Sequence, residues 1–345
     1  MGDTGGRLHL AYAYAYTRHM PLDPIAYKPY GDPDEFIREV TDLIWVNRAI
    51  GYIRENYEPD SIVHGAYGTS VTRDEVIEGS LMRIADLPDR IGQADDVVWE
   101  ARGDDAFLSS HRILSADPSN EFVSRTIANC LYRRGRMVEE WVVRDSLAIA
   151  LQTGLDPDEV ARGKVFRGYT GSFTEPAQPD VIAAGDSGPR PDDFRPEVEM
   201  VLEFVQRVWN DRDLEKVSDF MVRDLTLHTV GYRTFIRPEG YRRSLLSLLR
   251  SFPSGQFEVR DIATNYAERY AGLRIAVLWK FVGTYNGFPA YGPNNGAGVE
   301  VLGVSQFLIQ SGRIVQELRL FDEIALRTQI YSYGSGDGIV TANIY

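Results

Sequence analysis

The sequence predicts an α+β fold built twice: two tandem cone-shaped domains, each a curved antiparallel sheet wrapped on N-terminal helices. Three observations predict it. A block near the middle of the chain recurs near its end. In each half, helical periodicity comes first and a run of strands follows. A stretch rich in glycine and proline separates the halves. The length of 345 residues also suits two domains of ordinary size better than one.

The repeat is the firmest of these. GRMVEEWVVRDSLAIALQTG at 135–154 aligns without a gap on GRIVQELRLFDEIALRTQIY at 312–331. Gly135, Arg136, Val138, Glu140, Asp145 and Gln152 fall on Gly312, Arg313, Val315, Glu317, Asp322 and Gln329. Upstream, SIVHGAYGTSVTRDEVIEGSLMRI parallels LTLHTVGYRTFIRPEGYRRSLLSLL, which sets His64 on His228. The offset is 164 residues at the histidines and 177 at the aspartates. An insertion around 283–298 accounts for the difference.

In the first copy, residues 34–56 read as one helix, because Phe36, Val40, Leu43, Ile44, Ile50 and Ile53 stand near helical spacing after Asp32-Pro33. A short extended piece at 57–65 and a second helix at 73–85 follow. Strands are expected at 95–102, 106–114, 122–133 and 136–144, with hairpin turns at Asp104-Asp105 and Arg134-Gly135. The second copy gives helices near 195–210 and 237–251 and strands near 255–267, 271–284, 299–310 and 313–321. Helices followed by a run of strands argue α+β rather than α/β. The boundaries are then an N-terminal arm at 1–33, domain one at 34–153, a linker at 154–194, domain two at 195–331 and a tail at 332–345. The tyrosine-rich AYAYAY run of the arm alternates as a strand would, and packing on a domain or a partner subunit is expected of it.

Composition narrows the function. A net charge of -13 disfavours nucleic acid and anionic membranes, which need basic surfaces. No apolar run approaches a membrane span, and the N-terminus lacks the apolar core of a secretory signal. The single cysteine, Cys130, forbids an intrachain disulfide and a multi-cysteine metal site, so a reducing cytoplasm fits. Zincin, Walker and nucleophile-elbow motifs are absent. Neither a metal nor a cofactor is expected.

The pattern G-R-[IM]-V-x-E-x5-D, present as Gly135–Asp145 and Gly312–Asp322, resembles the closing strand of SnoaL-like polyketide cyclases of the NTF2-like superfamily. GTYNGFPAYGPNNG at 283–296 looks like that family's loop before its last two strands. The resemblance implies a cone-shaped domain with a small-molecule pocket, and an acid/base aspartate at the end of the last strand. Here that is Asp145 and Asp322. The histidine that assists from an adjacent strand has no counterpart: the five histidines are His9, His19, His64, His111 and His228.

A carboxylate in an aromatic-lined hollow is desolvated, which raises its pKa toward the range of a general acid/base. Asp145 and Asp322 are therefore catalytic candidates, although an aspartate just before SLAIALQ or EIALRTQ is also a good helix cap. His64 and His228 are candidate proton donors or acceptors because they recur. Trp45, Trp99, Trp141 and His111 are expected to line the first pocket, and Trp209, Trp279 and Tyr285 the second. Alternation places Arg144 opposite Asp145 on the sheet, and Glu140 and Glu317 read as solvated strand residues. The first copy is expected to be the active one. Two functions stay open: cofactor-independent cyclisation, isomerisation or hydration of a small hydrophobic carbonyl compound, or non-catalytic binding of such a molecule. A homodimer is compatible with both.

Overall fold

The structure, a computed structural model, describes residues 22–169, 171 and 194–333. The AYAYAY run and the glycine-rich tail segment at 334–338 lie outside the described residues.

In the first unit, α1 (Pro33–Trp45) starts where Asp32 accepts the amide of Glu35, with Pro33 in the first turn and Asp34 and Glu35 favouring the helix N-terminus. Its Phe36, Ile37, Val40 and Ile44 are buried. The single helix expected over 34–56 is broken: Arg48 takes a left-handed conformation, φ 60°, and α2 (Gly51–Asn56) restarts after it. Strands β1 (Tyr57–Gly65) and β2 (Gly68–Ser70) form a hairpin, and α3 (Arg73–Asp86) follows, capped by Thr72. Then β3 (Ile91–Ala101), β4 (Ala106–Asp117), β5 (Phe122–Arg133) and β6 (Arg136–Arg144) run as an antiparallel meander. The sheet order is β2-β1-β6-β5-β4-β3.

The sheet is mixed rather than wholly antiparallel, because β1 pairs with β6 in parallel. Helix α3 carries the chain from the β1–β2 hairpin to the far edge, and the meander returns to lie beside β1 in the same direction. Short α4 (Ser146–Gln152) closes the unit, and α5 (Pro157–Phe166) lies within the stretch whose composition reads as linker.

The second unit repeats this order: α6 (Arg195–Phe204) with a π-helical turn at Val205–Asn210, β7 (Met221–Thr229), β8 (Arg233–Ile236), α7 (Arg237–Leu249), β9 (Gln256–Ala267), β10 (Gly272–Thr284), β11 (Gly298–Gln310), β12 (Arg313–Phe321) and α8 (Glu323–Ser332). Its order, β8-β7-β12-β11-β10-β9, is that of the first sheet, and β7 is again parallel to β12.

Each sheet buries one face under its own helices and turns the other toward the opposite sheet. Val98, Leu108 and Leu131 of the first meet Ala263 and Ala276 of the second, and the second unit's core continues onto Ile127, Val143 and Leu147 of the first. Polar contacts are buried with this apolar seam. Arg102 joins Glu100 at 3.0 Å and Asp261 at 2.9 Å. Glu100 accepts the amide and hydroxyl of Thr264 at 2.7 and 2.9 Å. Asp96 accepts from Arg269 and Arg274. Each buried charge thus has a partner across the seam, as burial of charge requires.

Candidate functional site

The geometry of the site turns on one extra residue. Between β5 and β6 the register shifts by one, so that Leu131 faces Glu139 but Tyr132 faces Met137, and Val138 is bulged out. A bulge reverses which residues share a face. Met137 lies in the core under the helices. Beyond the bulge Glu140, Val142 and Arg144 take that face and line a cavity, while Glu139, Trp141, Val143 and Asp145 turn toward the second unit. The expectation that Arg144 and Asp145 stand on opposite faces holds, but the faces are exchanged. Glu140 is likewise a cavity residue rather than a solvated one. The same shift recurs between β11 and β12, where Val315 is the extra residue.

The cavity of the first unit measures about 100 Å³. Helix α3 supplies Val76, Gly79, Ser80 and Arg83, the i, i+3, i+4, i+7 set of a single helix face. Trp45, Ile53 and Tyr57 form an apolar wall, and the β1–β2 turn closes one side. A smaller lobe of about 40 Å³ shares Trp45, Arg83, Glu140, Val142 and Arg144 and adds Arg90, Ile113 and Thr126. One carboxylate therefore shares the space with three guanidinium groups. Burial pushes the Glu140 carboxyl up, against the pull of Arg144 and Arg83. Burial also lowers Arg144 well below its ordinary value, and the neighbouring charge of Arg83 adds to it. Arg90, stacked 5.6 Å from the Trp45 ring, is brought to about 10, chiefly by burial. Ser70, fully buried, lines the same cavity with no partner for its hydroxyl among the described residues. An unpaired buried hydroxyl and crowded cations are costly when left alone and favourable when a ligand meets them.

The proposed acid/base aspartates lie elsewhere. Asp145 is buried and lines neither the two cavities of the first unit nor the cavity between β8, α7 and α8 of the second. It caps α4 through the amide of Ala148 at 3.1 Å, and it accepts the amides of Gly231 and Tyr232, at 2.7 and 3.0 Å, from the β7–β8 turn of the other unit. Asp322 caps α8 through Ala325 at 3.0 Å and accepts the hydroxyl of Ser146 at 2.6 Å across the seam. Burial raises both carboxyls, and these hydrogen bonds oppose the rise. His64 also faces the seam: it meets Glu139 at 2.7 Å and stacks on Trp141 at 5.2 Å. His228 meets the hydroxyl of Thr234 at 3.0 Å, and burial, with Arg125 and Arg112 nearby, lowers its pKa. His111 is buried beside Ser109, 3.3 Å away, and burial drives it down to about 3, so it is a neutral imidazole.

Of the aromatic candidates, only Trp45 lines a cavity of the first unit. Trp99 packs on the first core and Trp141 on the seam. In the second unit Trp209, Trp279 and Tyr285 are fully buried and fill part of the hollow. Trp209 donates to the Tyr241 hydroxyl at 2.9 Å and Trp279 to the Ser305 hydroxyl at 3.2 Å. The Trp279 indole lies where a side chain on Gly303 would stand, 2.1 Å from an added Cβ. A cavity of about 260 Å³ remains beside them between β8, α7 and the start of α8. It is lined by residues that align with the first unit's cavity wall: Arg243, Ser244 and Ser247 stand where Gly79, Ser80 and Arg83 do, and Arg319 and Phe321 where Val142 and Arg144 do.

Sequence reasoning missed Glu140, Arg83, Arg90 and Arg144. The recurrence of Glu140 as Glu317 was a usable signal, and so was Arg83 on the helix face that carries Val76. Among the described residues no group of histidine, cysteine and carboxylate side chains could hold a metal ion, and no helix is long and apolar enough to cross a membrane.

The family model of SnoaL-like polyketide cyclases matches residues 199–330, the second unit. No curated protein matches the chain. Among solved structures, a chain assigned as a SnoaL-like polyketide cyclase from Jannaschia sp. CCS1 is 20% identical with TM-score 0.36, and the match covers 42% of this chain and 98% of that one. A chain assigned as a polyketide cyclase from Acidithiobacillus ferrooxidans is 16% identical with TM-score 0.33, over 39% and 94%. IdmH from Streptomyces antibioticus, assigned likewise, is 18% identical with TM-score 0.33, over 39% and 98%.

Proposed function

We propose that the first unit is a cone-shaped enclosure for a small hydrophobic carbonyl compound and moves a proton on it without a cofactor. Glu140 is the acid/base and Asp145 a joint between the units. The observation that carries the proposal is that a half-buried carboxylate and the guanidinium groups of Arg83 and Arg144 share one cavity with an apolar wall.

A carboxylate raised by burial is a stronger base and a usable acid near neutral pH. It takes the proton from the carbon beside the carbonyl. The electron pair left behind moves onto the carbonyl oxygen, where a fixed guanidinium meets the developing charge. Return of the proton at a different carbon isomerises the substrate, and attack of the enolate carbon on a second carbonyl closes a ring, the alkoxide formed there taking back the proton held by Glu140. Trp45 and Tyr57 exclude water, and the Ser70 hydroxyl is free to orient a polar substituent. The match of the second unit to a polyketide-cyclase family supports a substrate of this class.

A binding-only reading is favoured by one observation: no histidine lines the cavity to share proton transfer with Glu140. The test is deuterium exchange at the α-carbon of cyclohexanone, followed by NMR. Catalysis requires that Glu140→Gln slow the enzyme-dependent exchange about 10²-fold or more while cyclohexanone binding persists. Asp145→Asn should leave exchange per folded molecule unchanged. Binding with no exchange above buffer supports the binding-only reading, and full exchange by Glu140→Gln removes Glu140 from the chemistry.

A further inference from the structure

We infer that the second unit carries a separate site for an organic anion, a carboxylate borne on an apolar body, in the 260 Å³ cavity between β8, α7 and α8. The inference does not depend on the chemistry proposed for the first unit.

Four arginines, Arg233, Arg243, Arg319 and Arg327, line this cavity, and Glu323 is the one carboxylate among the lining residues. Glu323 is already engaged: it accepts from Arg327 at 2.8 Å and lies 3.4 Å from Arg233. Arg327 is further paired with Asp158 at 2.6 Å. Two positive charges are left. Arg319 is buried, 5% exposed, and its hydrogen bonds go to two hydroxyls, Tyr241 at 3.2 Å and Ser244 at 3.0 Å. Glu317, two residues earlier on the strand, feels the charge of Arg319 but makes no ion pair with it, and one of its oxygens accepts the Ser305 hydroxyl at 2.9 Å. The Arg319 guanidinium lies 5.7 Å from the Trp209 ring and 5.1 Å from the Tyr241 ring. Arg243, on the exposed side of α7, makes no hydrogen bond or ion pair among the described residues.

A buried guanidinium that has hydroxyls and ring faces but no carboxylate in ion-pair contact keeps capacity for an anion. Arginine offers a planar fork that fits a carboxylate through two parallel hydrogen bonds. Phe235, Leu248, Tyr291 and Phe321 give the wall an apolar part, and the hydroxyls of Thr229, Ser244 and Ser247 lie among them. A ligand with a single charge at one end and an aromatic or aliphatic body at the other fits that division. The chain's net charge of -13 makes so dense a basic lining a local feature, not a consequence of overall composition.

Benzoate is the probe, with its neutral amide, benzamide, and inorganic phosphate as comparisons, measured by titration calorimetry at low ionic strength. Benzoate is expected to bind and benzamide to bind at least about tenfold more weakly, the value of one charge-assisted hydrogen bond. Arg243→Gln, on an exposed helix position, should weaken benzoate about tenfold without loss of folding, and Arg319→Lys, which keeps the charge and loses the fork, should weaken it as well. Arg144→Gln, which alters the first unit's own cavity, should leave the benzoate affinity of the second unit's site unchanged. Equal affinity for benzoate and benzamide overturns the inference. So does benzoate binding that survives Arg243→Gln and is lost in Arg144→Gln, or binding of phosphate with exclusion of benzoate.

Discussion

The two units share a backbone and differ in what fills it. Relative to the last strand, Thr126 of β5 stands where Gly303 stands on β11, since they pair with Arg144 and Phe321 respectively. Their neighbours on the next strand are Ile113 and Trp279. In the first unit Ile113 and Thr126 leave space and line the small lobe. In the second a tryptophan lies over a glycine, and the same space is indole. Glu140 and Glu317 occupy one position, yet Glu140 meets a cavity while Glu317 is fully buried under Tyr241 and Ser305. The arginine that follows comes four residues later in the first unit and two residues later in the second. The backbone bulge decides which residues face inward; the volume of two or three of them decides whether the small lobe remains.

Trp279→Ala should produce the largest effect. Removing a fully buried indole costs about 3–5 kcal/mol, read as a lowered denaturant midpoint, and it should open a hollow in the second unit that xenon can enter in a crystal. Stability close to the parent would show that the tryptophan is not what closes this lobe. Asp145→Ala comes next, at about 3 kcal/mol, because it strips a helix cap and leaves two turn amides unmet. Asp322→Ala removes one cap and one hydroxyl contact, and about 1–2 kcal/mol is expected by the same measurement. A reversed order would mean that the two aspartates do not divide the work as their contacts suggest.

The exchange of fillings can also be run the other way. Ile113→Trp combined with Thr126→Gly should close the small lobe of the first unit with a stability change within about 2 kcal/mol, and cyclohexanone exchange should fall to background. Retained exchange would separate the lobe from the chemistry.

Glu317→Gln should have the smallest effect, within about 1 kcal/mol at and below pH 4.5, where the parent carboxyl is protonated in the folded chain and carries no penalty. Its signature is in the pH dependence. A carboxyl raised in the folded chain costs nothing below its ordinary value of 4.5, where both states are protonated. The penalty accumulates as pH rises from there through the raised value, so the parent loses stability across that window. The variant should lack that part of the slope in urea midpoints taken from pH 4.5 upward, and an unaltered slope would show that Glu317 is ionised without penalty.

Much of the fold was legible. The strands at 122–133, 136–144 and 313–321 stand at the residues expected, because turn signals and β-branched runs bound them sharply. The parallel pairing of β1 with β6 was not, since strand direction depends on where a helix returns the chain and not on any local pattern. Most of the site was hidden for one reason: a bulge at Val138 exchanges the faces of everything after it, and valine is an ordinary strand residue that announces no irregularity. The capping role of Asp145 was visible in the sequence. Its grip on Gly231 and Tyr232, 86 residues away by number for the first of these, was not.

That grip sets a limit on how the molecule can be divided. Gly231 and Tyr232 both take left-handed backbone angles, φ 74° and 57°, and they aim successive amides at the one carboxylate. At the opposite end the corresponding carboxylate is met by a serine hydroxyl. Two identical copies of either half, assembled about a true twofold axis, would have to present the same device at both ends and could not reproduce this pair. Each half therefore presents to the other a contact that its counterpart lacks, so the two halves are fitted to each other by unlike devices at the two ends.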